Sequence, residues 1–158
     1  MHQGENFPFD KFVIHRFTSN HHKSGKGFQM RYQSSDKIPD RIYRMGEPGA
    51  CGGIFSFPYG MFSSPSYPDN YPHNMDCIYT ITQPAGTVIK LNFIVMGILP
   101  TYYSAHRYKC PDYIEIRDGL TEDSQLLLSL CGYDIPAPIQ SSKNHMWIKL
   151  VLIKWYTI

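Results

Sequence analysis

The sequence predicts an all-β fold, a sandwich of two antiparallel sheets, and three observations predict it. Short stretches alternate apolar and polar residues at period two: Tyr79 and Ile81, then Ile89, Leu91 and Phe93, then Ile114 and Ile116, then Met146, Ile148 and Leu150. Turn signals such as Pro84-Ala85-Gly86 and Asp118-Gly119 separate these stretches at short intervals. Composition agrees, with 15% aromatic residues, 12 prolines and 12 glycines among 158 residues, and few long helix-favouring runs.

Taken in order, residues 1–10 show no period. Residues 12–17 alternate Val13, His15 and Phe17 with Phe12, Ile14 and Arg16, as a strand would. A polar loop with Gly25 and Gly27 follows, and then Phe28, Met30 and Tyr32, separated by Gln29 and Arg31, give a second strand, so that the two form a hairpin. Residues 34–50 hold Pro39, Gly46, Pro48 and Gly49 and read as a linker between domains. Within it, Arg41-Ile42-Tyr43-Arg44 matches a minimal Arg-x-x-Arg processing site where a protease would reach it. Beyond Cys51, strands are expected over residues 54–57, 60–63, 77–82, 88–95, 113–117, 125–130 and 146–152.

Charge excludes several functions. A net charge of +2, with 18% charged residues of both signs, sets up no field that would select nucleic acid or an anionic membrane surface. Residues 1–30 contain no apolar leader segment, and residues 148–158 are too short for a membrane span and are broken by Lys149 and Lys154. Cys51, Cys77, Cys110 and Cys131 permit three pairings and form no Cys-x-x-Cys pair of the kind that holds zinc. Two disulfides in an oxidising compartment is therefore the reading adopted. Paired in order, they would close two loops worth about 3 kcal/mol each by chain entropy. Disulfides in a chain with no leader point to a piece of a longer secreted protein. His15, His21 and His22 lie in polar surroundings and are read as solvated, not as zinc ligands. No serine or cysteine has the local context of a nucleophile, so no catalytic residue is assigned.

One set of motifs is more specific. Cys51-Gly52-Gly53, Ser64-Pro65-Ser66-Tyr67-Pro68, Tyr71-Pro72, Cys77-Ile78-Tyr79-Thr80-Ile81, Leu91-Asn92-Phe93, the run from Cys110 through Gly119, Leu130-Cys131-Gly132 and Trp147-Ile148-Lys149-Leu150 occur in this order. Together they make residues 51–152 resemble a CUB domain, an extracellular β-sandwich module with jelly-roll-like topology that binds other proteins. Residues 12–32 resemble the last hairpin of the same family. Residues 1–33 are therefore expected to be the tail of a preceding CUB domain, 34–50 a linker, 51–152 a CUB domain lacking its final strand, and 153–158 a divergent tail. Phe28 to Tyr32 carries the pattern of the missing strand, and the residues between it and Cys51 could span about 60 Å. The strand is thus expected to pair into the gap in a permuted arrangement.

The resemblance also bears on ligands. Many CUB domains hold calcium through a glutamate and two aspartates, a cluster of hard oxygen donors. Here Asp112 matches one aspartate and Tyr67 an accessory tyrosine, but Leu99 stands at the glutamate position and Ile153 at the other aspartate. No acid occurs between Thr87 and Pro111, whereas Lys90, His106, Arg107 and Lys109 do, so calcium is not expected, nor any other cofactor. The candidate partner-binding residues are Leu99, Tyr102, Tyr103, His106, Arg107 and Tyr108, because aromatic residues and arginine populate interface centres. The expected function is extracellular protein binding by a module of a secreted or cell-surface protein. The other reading is a non-catalytic region of a modular secreted serine or metalloprotease of the ovochymase-like kind, with Arg41 and Arg44 as its processing point.

Overall fold

Alternation decides which way each strand faces. In the strand Met75–Thr82, Cys77, Tyr79 and Ile81 are buried while Asp76 and Ile78 face solvent. His145–Leu152 buries Met146, Ile148, Leu150 and Leu152, and Tyr113–Asp118 buries Ile114 and Ile116. A sheet with one apolar face must cover it, and a second sheet does so here.

The computed structural model describes residues 25–34, 44–45, 50–102 and 108–153, of which 44–45, 101–102 and 108–109 are described through their backbone. Twelve strands and no helix are found among the described residues: β1 Gly27–Gln33, β2 Arg44–Met45, β3 Gly53–Phe55, β4 Tyr59–Ser63, β5 Met75–Thr82, β6 Lys90–Gly97, β7 Thr101–Tyr102, β8 Tyr108–Lys109, β9 Tyr113–Asp118, β10 Gln125–Leu130, β11 Ile139–Gln140 and β12 His145–Leu152. One sheet has the order β11-β6-β1-β4-β2, the other β10-β9-β12-β5-β3, and β7 and β8 form a separate hairpin.

β1 lies inside its sheet. It pairs antiparallel with β4, from Gln29 opposite Ser63 to Gln33 opposite Tyr59, and with β6, from Gly27 opposite Gly97 to Gln33 opposite Lys90. The permuted arrangement expected from the sequence is thus present: a strand that precedes β4 by a long stretch of chain separates it from β6. Phe28, Met30 and Tyr32 point inward and are at most 1% exposed. Phe28 meets Phe62 edge-on at 6.1 Å and crosses the sandwich to Tyr79 at 5.7 Å, while Phe62 stacks on Tyr79 at 5.0 Å. The register between β1 and β6 shifts after Gln29, where Val95 faces Gln29 but Phe93 faces Met30, leaving Ile94 as the extra residue. That bulge rephases β6, so Leu91 and Phe93 are followed into the core by Met96 instead of Val95.

Several expectations need correction. The sheets are not wholly antiparallel, since β3 runs parallel to β5 and β2 parallel to β4. β3 also ends at Phe55, because the chain from Ser56 to Pro58 crosses between sheets to begin β4. A buried polar junction fixes this crossing: Gln83 donates its side-chain amide to Phe57 O at 2.6 Å and accepts from Ser34 Oγ at 2.9 Å, while Ser34 N–H reaches Pro58 O. The stretch 34–50 is not a bare linker either, for Arg44 of the candidate processing site lies in β2, opposite Gly60. Arg41, and the strand expected over residues 12–17, lie outside the described residues. Val88 and Ile89 precede β6, and Ile89 is instead tied to Ser141, N–H to Oγ at 2.8 Å and O from N–H at 3.0 Å. The disulfides join Cys51 to Cys77 and Cys110 to Cys131.

Two outcomes follow from the burial of β1. Phe28→Ala removes a ring from the centre of the core and should cost about 3–5 kcal/mol in chemical denaturation. Ile54→Ala, at a site 84% exposed, should change stability by no more than about 0.5 kcal/mol. Comparable small effects from both would place β1 outside the core. Burial also raises the phenol of Tyr32 to about 12 and those of Tyr71 and Tyr79 well above their ordinary range. Their folded-state values exceed the unfolded one, so the stability they carry is complete below about pH 10 and is lost as pH rises through the folded values. The melting temperature should therefore fall above about pH 10. Ultraviolet titration of the native chain should show three tyrosines ionising late, and simultaneous titration of all of them would contradict the burial.

Candidate functional site

The loop singled out for partner binding begins where β6 ends. After Gly97 the chain makes a two-bond bridge, with Ile98 N–H to Gly132 O at 3.0 Å and Gly132 N–H to Ile98 O at 2.7 Å. It then forms the β7–β8 hairpin, with Thr101 opposite Lys109 and Tyr102 opposite Tyr108. Cys110 follows directly and is bonded to Cys131. Both ends of the hairpin are thus fastened at Cys131-Gly132, one by backbone hydrogen bonds and the other by a covalent link.

Leu99 and the paired backbone of Tyr102 and Tyr108 therefore belong to one segment tethered at both ends, while Tyr103, His106 and Arg107 lie outside the described residues. Sequence reasoning missed two neighbours. Tyr133 and Ile135, 59% and 56% exposed, follow immediately on the attachment point. Two large apolar side chains in the turn-rich segment from Gly132 to Pro138 were the available signal.

The positions that align with the family's calcium ligands do converge, through a residue the sequence reading did not weigh. Tyr71 is 1% exposed, and its hydroxyl donates to Asp112 Oδ2 at 2.9 Å and accepts from Leu99 N–H at 3.1 Å. Asp112, fully buried, uses its other oxygen to accept from Ile153 N–H at 3.0 Å. Tyr67 enters only the neighbouring turn, its N–H reaching Ser64 O at 3.3 Å. Leu99 and Ile153 thus present backbone N–H groups where the calcium-binding pattern has carboxylates. A cation needs several oxygen donors around it, and a single carboxylate engaged by two donors does not fit that need. Among the described residues, no group of three or more His, Cys, Asp or Glu side chains gathers in a way that could hold a metal.

The geometry reads instead as a strut. Through Tyr71 and Asp112 it links the segment after β6, the segment before β9 and the residue after β12. Burial, above all, pushes the Tyr71 phenol up, and the Asp112 carboxylate adds to the effect, while the Leu99 N–H works against it. Tyr71→Phe keeps the ring but leaves Asp112 short of a donor and Leu99 N–H short of an acceptor. It should cost about 2–3 kcal/mol in urea unfolding, and a cost under about 0.5 kcal/mol would show that the strut is not needed.

Comparison with known proteins bears on this architecture. The sequence model of the CUB domain matches residues 51–154. Tolloid-like protein 2 of Mus musculus is 36% identical over 135 residues, which is 85% of this chain and 11% of that protein. Cubilin of Homo sapiens is 38% identical over 136 residues, 84% of this chain and 4% of cubilin. Bone morphogenetic protein 1 of Xenopus laevis is 35% identical over 135 residues, 85% of this chain and 16% of that protein. The chain therefore spans only a small part of the length of these relatives. The aligned stretches are longer than the family match and so take in residues upstream of Cys51. With the family pattern covering more than half of the sequence and the two-sheet, two-disulfide architecture described above, the chain belongs to the CUB domain family.

Proposed function

We propose that this chain is an extracellular protein-binding CUB module of a larger secreted or cell-surface protein, and that it binds its partner without calcium. The observation that carries this reading is the hairpin fastened at both ends to Cys131-Gly132. Attachment at both ends lowers the ordering cost of a loop on binding, and the sequence of this loop has the aromatic residues and arginine that interface centres favour. Its sequence holds Tyr102, Tyr103, His106, Arg107 and Tyr108, with Tyr133 and Ile135 exposed beside its root. The strut supports the second half of the proposal, because the one matching carboxylate is already engaged by Tyr71 and Ile153.

In this reading the partner is a protein with acidic groups facing the hairpin, since residues 87–111 carry no acid and several cations. The module contributes no catalytic residue and takes no cofactor. By sequence pattern residues 1–33 derive from the tail of a preceding CUB domain, while β1 within them is built into the sandwich of residues 51–152. No helix among the described residues is long and apolar enough to cross a membrane. Two disulfides suit an oxidising compartment outside the cell. The Arg41 to Arg44 sequence favours a second reading, in which the chain is a non-catalytic region of a modular secreted protease.

Two measurements test the proposal. Labelled chain should bind saturably to a cell surface or secreted partner, and chelation by EDTA should leave this unchanged. The joint variant Tyr102→Ala/Arg107→Ala should weaken it by about 30-fold or more while leaving the melting temperature in place. Loss of binding on chelation would overturn the calcium-free reading, and an undiminished affinity in the variant would remove the hairpin from the interface. Calorimetric titration with calcium should show no tight binding, and a site that depends on Asp112 would contradict the proposal.

A further inference from the structure

β1 is a core strand that the rest of the sandwich holds by a code of its own. Phe28 O accepts from Ser64 N–H at 2.9 Å, and Phe28 N–H donates to Ser64 Oγ at 2.9 Å, with Ser64 fully buried. Gly27 takes φ +79°, and a Cβ there would lie 1.7 Å from Ser64 Oγ. A Cβ on Gly25 would lie 2.0 Å from Gly97 O. The slot between β4 and β6 thus admits glycine at both of these places, followed by inward Phe28, Met30 and Tyr32. Its ligand is an extended segment of the form Gly-x-Gly-aromatic-x-apolar-x-aromatic. Residues 25–32 are the only part of this chain with that form.

We propose that the slot is a strand-acceptor site able to take β1 from a second copy of this chain, giving a reciprocally exchanged dimer. Downstream, β1 is joined to β2, the next strand described in the sandwich, through residues 34–43, a stretch with Pro39. Every contact described for β1 is the same whether the strand arrives from its own chain or another. An empty slot is not a resting state, because it would expose the inner face and two strand edges. The choice between the closed monomer and the exchanged dimer is then set by chain concentration against the effective concentration that the connection provides, on the order of a millimolar. Release of a central strand requires unfolding, so exchange occurs when chains fold together. This inference concerns assembly and stands apart from the calcium-free binding role.

Gln29 and Ser63 are opposed in the β1–β4 register, and both are only partly buried. Because Phe28 and Ser64 exchange hydrogen bonds, the 29/63 pair is the close, non-hydrogen-bonded kind. The experiment uses full chains carrying Gln29→Cys or Ser63→Cys, unfolded, mixed and refolded oxidatively at a series of concentrations. The expected product is a reducible heterodimer whose peptide map shows a 29–63 bridge. Its ratio to monomer should rise about tenfold for each tenfold rise in concentration while dimer remains the minor species. The double variant Gln29→Cys/Ser63→Cys, refolded dilute, should form the same bridge within one chain. Monomers alone at every concentration, or heterodimers never linked through 29 and 63, would overturn exchange. Failure of the double variant to close its bridge would overturn the placement of β1 itself.

Discussion

The structure depends on the double ladder that β1 makes with β4 and β6. A strand inside a sheet places half of its backbone groups toward each neighbour, so removing it opens two edges at once and leaves those groups to water or to chance partners. The side chains compound the effect. Phe28 is the point where rings of both sheets meet, touching Phe62 beside it and Tyr79 opposite. The polar junction of Ser34, Gln83 and Phe57 depends on the same strand, since Ser34 is carried into place as the residue after β1. Backbone pairing, ring packing and the crossing between sheets therefore share one element.

At one end of the sandwich a second constraint operates on a smaller scale. Buried carboxylates are tolerated only when their oxygens are engaged, and Asp112 is engaged by a phenol and a backbone amide from opposite sides of the chain. Tyr71 is itself seated by its own N–H on Gly25 O, so the strut is continuous with the segment that enters β1. The β7–β8 hairpin follows Leu99, which bonds to that same phenol. Order at the hairpin root is thus coupled to the core by a chain of named hydrogen bonds, in addition to the Cys110–Cys131 link.

Much of this was legible in residue order, and the reasons differ by element. β5, β9 and β12 could be read because each buries its apolar residues at period two, with Trp147 of β12 the one buried residue on an outer face. The place of β1 followed from its own pattern, the alternation of Phe28, Met30 and Tyr32 before Cys51, which resembles the last strand of the family. β2 and β11 could not be read, because two residues carry no period and pair only through tertiary placement. The parallel direction of β3 was equally hidden, since alternation is blind to strand direction and the crossing at Ser56 to Pro58 sets it. The bulge at Ile94 leaves no mark that alternation detects until Met96 is seen in the core. At the site, the lack of acids near Leu99 and Ile153 was visible, but what replaced them was not. A tyrosine in a Tyr-Pro turn gives no hint that its hydroxyl will meet Asp112 from 41 residues away.

The order of β1 in the chain has a temporal side. During synthesis its two partners are not yet made, and β6 ends about 64 residues after β1 does. At roughly 5–20 residues per second, Phe28, Met30 and Tyr32 wait about 3–13 s before the slot that shelters them exists. A strand at the other end of the same sandwich would instead meet a finished groove on arrival. The permuted arrangement therefore lengthens the interval in which a sticky, uncharged face is open to chaperones and to neighbouring nascent chains.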